Sequence, residues 1–286
     1  MPVAVVTDTT QYLPREAIER HDIHLVSLYV NWKGRTDREA DLPDYDGFYD
    51  FLRSGGDLPS TSQPSVGDFL AVYEPLIERG EDILSIHLSG GISGTVHAAE
   101  QARQALVEQG VDGDRVVVID SRTGCAGHGF MAVAAANAPG GLAEKVAAAR
   151  ALREDLYLLV AVDTLEFLRR GGRIGAARAW IGATLKVKPI LTIDGEMQPV
   201  ERVRTAGRAF ERLTDHLVQR KQDGCDAFAV QHTQAPDVAE RLADRGREIY
   251  GNDPVILSEI GPVIGTHTGP GLLGVAGLRT DLLGPV

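Results

Sequence analysis

Short apolar runs alternate with amphipathic stretches, and this alternation most limits the folds open to the chain. Four runs in the first half predict strands: Val3–Val6, His24–Val30, Ile83–Ile86 and Val116–Ile119. The stretches between and after them favour helices, at residues 14–20, 44–53, 65–79, 93–109 and 130–138, and the dense alanine of residues 132–151 favours a closely packed helix pair. Alternation of this kind predicts a parallel sheet with helices on both faces.

A different pattern begins near Leu156. Strands are predicted at residues 157–162, 188–193, 198–203, 227–231, 255–257 and 274–278, and helices at 165–170, 206–222 and 237–250. Asp194-Gly195 lies between two of these runs and is typical of a hairpin turn, which requires antiparallel pairing. We therefore predict an α/β chain with an N-terminal parallel domain over 1–155 and a C-terminal mixed-sheet domain over 156–286, with a packed junction between them.

Composition excludes several function classes. The chain has 286 residues and a formal charge of −11, which argues against a nucleic-acid partner and allows at most transient contact with an anionic membrane. Its two cysteines, Cys125 and Cys225, form neither a disulfide framework nor a zinc motif, so a reducing compartment is expected. The start of the chain lacks the pattern of a signal peptide, and no apolar run is long enough to span a bilayer, so we expect a cytoplasmic protein.

Small polar residues follow three of the predicted first-half strands. These segments are Thr7–Thr10, His87–Thr95 and Asp120–Gly124. Since the carboxyl ends of parallel strands meet at one edge of a sheet, the segments are predicted to form a shared surface of small hydrogen-bonding groups. Thr61-Ser62-Gln63-Pro64-Ser65 is a fourth such segment, leading into a helix.

Ser93 allows more than one interpretation. It is suited to cap the helix that follows, or to bind a carboxylate or phosphate together with the free N–H groups of the helix start. The loop matches neither the phosphate-binding loop nor the dinucleotide fingerprint. Gly91–Thr95 lacks only the final glycine of a nucleophile elbow, so a serine hydrolase or esterase using Ser93 and His267, oriented by Asp163, stays open.

Two segments of the second half are notable, one rich in charged residues and the other rich in glycine and proline. Asp163 and Glu166 have the spacing of a capping box, and Arg169, Arg170 and Arg173 follow as a cluster of cations. That cluster is either a solvated helix end or a site for an anion or a partner. His267 lies in the Gly- and Pro-dense segment 261–271 and is predicted to contact a ligand. The spacing of the histidines suggests no metal site.

Seven of these motifs, in order from residue 3 to about 280, resemble the DegV family of bacterial fatty-acid-binding proteins. They are Thr7-Asp8, Thr61–Ser65, Ser89–Thr95, Asp120-Ser121, Asp163–Ile174, Lys188–Leu191, and His267 with Gly269-Pro270-Gly271. One departure is Thr9, where the family's first motif usually has serine.

The resemblance implies a non-catalytic carrier that holds one long-chain fatty acid in a buried tunnel, with its carboxylate between the domains and no other cofactor. It implies that the carboxylate is bound by Thr61 with Ser62, by Ser93 with the backbone near Gly94, and by His267. It also implies a fatty acid kinase as partner, for which Arg170 and Arg173 are the expected docking residues. A lipid-binding sensor without a kinase is a further alternative that would share this site.

Overall fold

The structure is a computed structural model that describes residues 1–55, 58–180 and 187–286. The strands are β1 Val3–Asp8, β2 Ile23–Val26, β3 Tyr29–Trp32, β4 Arg35–Arg38, β5 Ser60–Ser62, β6 Asp82–His87, β7 Val116–Asp120, β8 Leu158–Ala161, β9 Lys188–Asp194, β10 Glu196–Val203, β11 Ala227–His232, β12 Ile256–Glu259 and β13 Leu273–Leu278. The α-helices are α1 Arg15–Arg20, α2 Asp46–Arg53, α3 Val66–Glu78, α4 Thr95–Glu108, α5 Ala126–Asn137, α6 Leu142–Asp155, α7 Glu166–Arg170, α8 Ala206–Gln222, α9 Pro236–Tyr250, α10 Pro262–Thr268 and α11 Thr280–Leu283.

The first sheet has the strand order β2-β1-β6-β7 and is parallel throughout. One face packs on α3 and α4 through a buried apolar cluster, and the other face packs on α5. The prediction of a helix-covered parallel sheet from the first half of the chain is therefore confirmed.

The second sheet has the order β10-β9-β8-β13-β11-β12. Its pairs are antiparallel except β11 with β12, and β9 and β10 form the hairpin predicted at Asp194-Gly195. The mixed sheet predicted for the second half is confirmed. Helices α8 and α9 cover one face, and their contacts with the sheet form a separate buried cluster.

A third sheet, of order β4-β3-β5, was not predicted. The single strand predicted over His24–Val30 is wrong, because the chain leaves the first sheet after Val26 and enters the third sheet at Tyr29. Lys33 and Gly34 both have positive φ and reverse the chain between β3 and β4, a turn whose left-handed residues are a hairpin signal. Thr61, in β5, pairs with Val30 in β3, so this sheet fixes the position of Thr61.

Helix α5 explains how the two large sheets come together. Residues 126–135 are all buried, so the helix has no solvent face, as expected of a helix packed between two layers. Its glycines and alanines keep it narrow, and its buried side chains belong to a cluster that also contains residues of both large sheets and of α6. The predicted helix pair is thus found as α5 and α6, although α5 begins at Ala126 rather than at Phe130. The domain boundary at residue 155 stays a prediction.

None of the helices in the described ranges is long and apolar enough to cross a membrane.

Candidate functional site

A cavity of about 300 Å³ lies where the first sheet, the third sheet, α5, α10 and the second sheet meet. This volume falls at the lower end of the range of ligand pockets, roughly 300–1,000 Å³. Most of the lining is apolar. Its polar side chains are those of Thr61, Ser62, Gln63, Ser93, Arg173, Gln231, His267 and Thr268. The five residues predicted to bind a carboxylate, namely Thr61, Ser62, Ser93, Gly94 and His267, all line this cavity.

The hydrogen bond between Thr61 and His267 joins the third sheet to α10. Thr61 Oγ1 and His267 Nε2 lie 2.8 Å apart. The other ring nitrogen, His267 Nδ1, is buried and has no hydrogen-bond partner among the described residues. Gly171 lies against this nitrogen. A Cβ at position 171 would be 2.1 Å from Nδ1, so only glycine allows the imidazole ring to approach this closely.

His267 lies on a helix rather than in the constrained loop that the glycines and prolines predicted. Pro262 opens α10, and Gly269 ends it with a φ of +75°, which is the usual placement of these residue types around a helix. Burial and, to a smaller extent, the neighbouring cation of Arg173 together lower the pKa of His267 to about 4. The imidazole is therefore neutral near pH 7.

Arg173 is the charged side chain in the part of the cavity lining that the structure describes. Its guanidinium donates to the backbone carbonyls of Ile92 and Gly171, at 3.2 and 2.6 Å. Arg169 and Arg170 are exposed on α7, and each forms an ion pair with Glu166. Of the three clustered arginines, Arg173 thus belongs to the cavity, whereas Arg170 lies on the outer surface nearby.

Ser93 is not the cap of α4, contrary to the first of its interpretations. The N-cap is Gly94, and no side chain caps the helix. Ser93 Oγ instead lies 2.9 Å from Thr95 Oγ1, and the predicted helix start at Ser93 moves to Thr95. The amide of Thr95, the first of α4, donates to Ser93 Oγ in a long hydrogen bond of 3.4 Å, and Gly94, which precedes it, lines the cavity.

The residues of the hydrolase alternative are not hydrogen-bonded to one another. His267 pairs with Thr61 and Ser93 with Thr95, while Asp163 forms an ion pair with Lys188 at 2.6 Å. The capping box predicted for Asp163 is also wrong. Thr164 Oγ1 accepts from the amide of Glu166 instead, and the Glu166 carboxylate forms ion pairs with Arg169 and Arg170.

Apolar side chains line the cavity next to its polar end. Leu28, Leu88 and Val263 form a buried cluster there, together with Ile92 and Ile264. We call these five residues the neck. They come from the loops after β2 and β6 and from the first turn of α10, so the neck depends on how those three segments are held together.

Beyond the neck, the cavity is bounded by one face of the second sheet. The strand register aligns Leu158 of β8, Ala276 of β13 and Ala229 of β11 in one row, and Val160, Gly274 and Gln231 in the next. The side chains on β13 and β11 are thus small, except for Gln231, whereas those on β8 are branched. The lining over β13 and β11 is therefore less bulky than the lining over β8.

The start of α5 forms the opposite wall. Gly124, Ala126 and Gly127 line the cavity, and their small size leaves space where larger residues would fill it. Gln231 connects the two walls, since its side-chain oxygen accepts from the amide of Ala126 at 2.8 Å and its nitrogen donates to Ser258 Oγ at 3.0 Å.

A fully buried polar network organises the edge of the first sheet. Asp8 Oδ2 accepts from the amide of Leu88 at 3.0 Å and pairs with His87 Nδ1 at 3.1 Å, while Oδ1 lies 3.3 Å from His128 Nε2. Burial alone would raise the pKa of Asp8, but attraction and hydrogen bonding from His128 and His87 hold it well below its usual range. Asp8 therefore links β1, the loop after β6 and α5. The sequence motif contained Asp8, but nothing in it indicated this role.

In the described part of the chain, no group of three or more His, Cys, Asp and Glu side chains is arranged to hold a metal ion.

Together these features define an α/β protein with two large sheets and one small sheet that encloses a mainly apolar cavity with one polar end. Comparison with known proteins identifies the group of proteins to which it belongs. The family model described as "Uncharacterised protein, DegV family" matches residues 2–280, and the chain is a member of the DegV family.

Similar proteins cover nearly the whole chain. A DegV domain-containing protein of Streptomyces coelicolor is 42% identical over 280 residues, covering 96% of this chain and 97% of that protein. A fatty-acid-binding DegV family protein from Thermus thermophilus superposes with a TM-score of 0.87 at 33% identity, covering 98% and 100% of the two chains. DegV of Bacillus subtilis, described as a fatty acid binding protein, gives 0.85 at 35% identity, covering 96% and 98%.

Proposed function

We propose that this protein binds one long-chain fatty acid, with the carboxylate at the polar end of the cavity and the acyl chain beyond the neck. The observation that carries the proposal is one cavity in which a few polar groups, with Arg173 as the charged side chain of the described lining, adjoin an otherwise apolar lining. The fatty-acid-binding DegV proteins of similar fold support it.

The polar end is suited to a carboxylate. Because His267 is neutral and its Nδ1 has no partner, the tautomer with hydrogen on Nε2 donates to Thr61 Oγ1 and leaves the Thr61 hydroxyl hydrogen free for a ligand. The Ser93 hydroxyl and the backbone at Gly94 add further donors, and Arg173 supplies a counter-charge. A buried carboxylate needs such partners to offset its desolvation.

The acyl chain supplies most of the driving force. Burying about 14 methylenes at roughly 0.8 kcal/mol each gives on the order of 11 kcal/mol. Association costs about 4–15 kcal/mol, so the tail roughly offsets that cost and the preformed cavity determines the affinity. The net charge of −11 gives no general attraction for an anion, which makes the local donors responsible for orientation.

We further propose a carrier role, in which a separate fatty acid kinase phosphorylates the bound carboxylate. In that reaction a carboxylate oxygen attacks the γ-phosphorus of ATP and ADP leaves. No acid–base chemistry is required of this chain, so it acts as a non-catalytic carrier. Arg170 is the proposed docking residue, because it is exposed one position from Gly171, which contacts His267. Arg173 lies inside the cavity and serves the ligand more directly than the partner.

Protein purified from a bacterial host should contain fatty acid. Organic extraction followed by mass spectrometry is expected to give about one long-chain fatty acid per protein, and delipidated protein should take up added palmitate. Neither stoichiometric lipid nor palmitate uptake would refute the proposal.

Thr61→Ala and Ser93→Ala should each weaken palmitate binding roughly 10- to 100-fold, because each removes a hydrogen bond to a charged group. Thr36→Ala is the control, since Thr36 is in the same small sheet but bonds to Asn31 away from the cavity. Calorimetric titration measures the affinities. Wild-type affinity in both cavity variants would contradict the head-group assignment, and covalent labelling of Ser93 by a fluorophosphonate would favour the hydrolase.

Ala229→Leu should abolish uptake of long acyl chains with little loss of stability, because the larger side chain extends into the cavity. Ala227→Leu is the matched control: Ala227 lies two residues away on the same strand face and is equally buried, but it does not line the cavity. That variant should lose about 1–3 kcal/mol of unfolding free energy through overpacking and still bind palmitate. Normal palmitate binding by Ala229→Leu would mean that the acyl chain does not pass over the row formed by Leu158, Ala276 and Ala229.

Arg170→Glu should slow acyl-phosphate formation on the lipid-loaded protein when a fatty acid kinase and ATP are supplied, without changing palmitate affinity. Arg208→Glu is the control, because Arg208, like Arg170, is exposed on a helix and paired with a glutamate of the same helix, but it lies on α8. Acyl phosphate is detected by trapping with hydroxylamine. No acyl phosphate with the wild-type protein would favour the lipid sensor over the carrier.

A further inference from the structure

Glu39 is a buried carboxyl group outside the cavity lining. It begins the short 3-10 segment Glu39–Asp41, and only 3% of its surface is exposed. The titratable groups that face it from the surrounding described elements are those of Asp8, Tyr12, Tyr45, Tyr49 and Cys125, and none of them is a cation. Glu259 acts on the same two tyrosines, Tyr45 and Tyr49, from β12.

Three donors point at this carboxylate. The amide of Val263 donates to Oε1 at 2.9 Å, the hydroxyl of Tyr12 donates to Oε1 at 2.8 Å, and Thr9 Oγ1 donates to Oε2 at 2.8 Å. Both hydroxyl oxygens already accept from backbone amides, namely those of Leu28 and Ile264. The arrangement is therefore complementary to the ionised carboxylate, and a protonated Glu39 must give up at least one of these bonds.

The groups that Glu39 holds belong to the site. Glu39 accepts directly from the amide of Val263, and Tyr12, which donates to Glu39, accepts from the amide of Ile264. Both amides are in the first turn of α10, which carries His267, and both residues form part of the neck. The backbone amide of Glu39 also donates to the carbonyl of Leu28, a third neck residue, at 2.9 Å. Glu39 thus joins the loop after β2 to α10, which come from opposite ends of the chain.

We propose that Glu39 is a positioning residue whose ionised carboxylate holds α10, and with it His267 and the neck, in the binding arrangement, so that affinity for a fatty acid falls when Glu39 is protonated. This inference rests on the proposed fatty-acid binding. Burial raises the pKa of Glu39 to about 7, against the opposing effect of its hydrogen bonds, so the change of charge falls near neutral pH.

The test is the pH dependence of binding of the fluorescent fatty acid cis-parinarate in wild type, Glu39→Gln and Glu259→Gln. If only the ionised form binds, a pKa of about 7 makes binding about tenfold weaker at pH 6 than at pH 8. Glu39→Gln should remove this difference. Glu259→Gln should keep it, because Glu259 bonds to Gln234 and not to α10. Titration of the ligand's own carboxyl affects all three proteins equally, so the difference between them isolates Glu39.

A wild-type pH profile in Glu39→Gln would overturn the proposal. A second measurement uses the wild-type protein without ligand: the amide of Val263 should be more strongly protected from hydrogen exchange at pH 8 than at pH 6, after correction for intrinsic rates. Equal protection would overturn the proposal even if Glu39→Gln fails to fold. Absence of binding at every pH, together with the expected change in protection, would instead overturn the proposed fatty-acid binding alone.

Discussion

The structure depends on burying one helix from every side. Helix α5 has a sheet on each face, so its side chains must be small where the layers approach, and residues 126–135 are fully enclosed. These small residues also create the cavity, because they leave space between the layers. Where Gly124, Ala126 and Gly127 face Gly274 and Ala276, the two layers leave space that no side chain fills. Binding capacity is therefore a consequence of how the core packs, since protein interiors otherwise leave few voids.

Buried polar groups fix the positions of the segments that line the cavity, which apolar packing alone does not determine. Asp8 fixes the loop after β6 through the amide of Leu88, and Glu39 fixes the start of α10 through the amide of Val263. Gln231 does the same for the start of α5. Each acceptor satisfies a backbone N–H at the beginning of a segment that lines the cavity. Unpaired buried groups are costly, so these bonds favour one arrangement of the walls over others.

Local pattern was enough for the large sheets but not for the site. The runs at Val3–Val6 and Ile83–Ile86 and the Asp194-Gly195 turn carry their own signals, because strand propensity and turn chemistry act over a few residues. The third sheet was missed because β3, β4 and β5 have only three or four residues each, β4 and β5 are polar, and β5 pairs with β3 from a distant part of the chain. His267 was expected in a loop because Gly and Pro also delimit a short helix. Four of the seven motifs that resembled the family contribute residues to the cavity, among them Thr61, Ser93, Arg173 and His267. The pairing of Thr61 with His267 and the contacts of Glu39 arise between residues distant in sequence.

The pairing of Thr61 with His267 also bears on how the protein is made. The two residues are 206 positions apart, and the contacts of Glu39 with Val263 and of Tyr49 with Ile260 span 224 and 211 positions. Contacts of such separation form late in folding, because closing a long loop first costs the chain conformational entropy. A nascent chain emerging from the ribosome can complete the first sheet well before residue 260 is available. It therefore lacks the complete polar end of the cavity until synthesis is nearly finished.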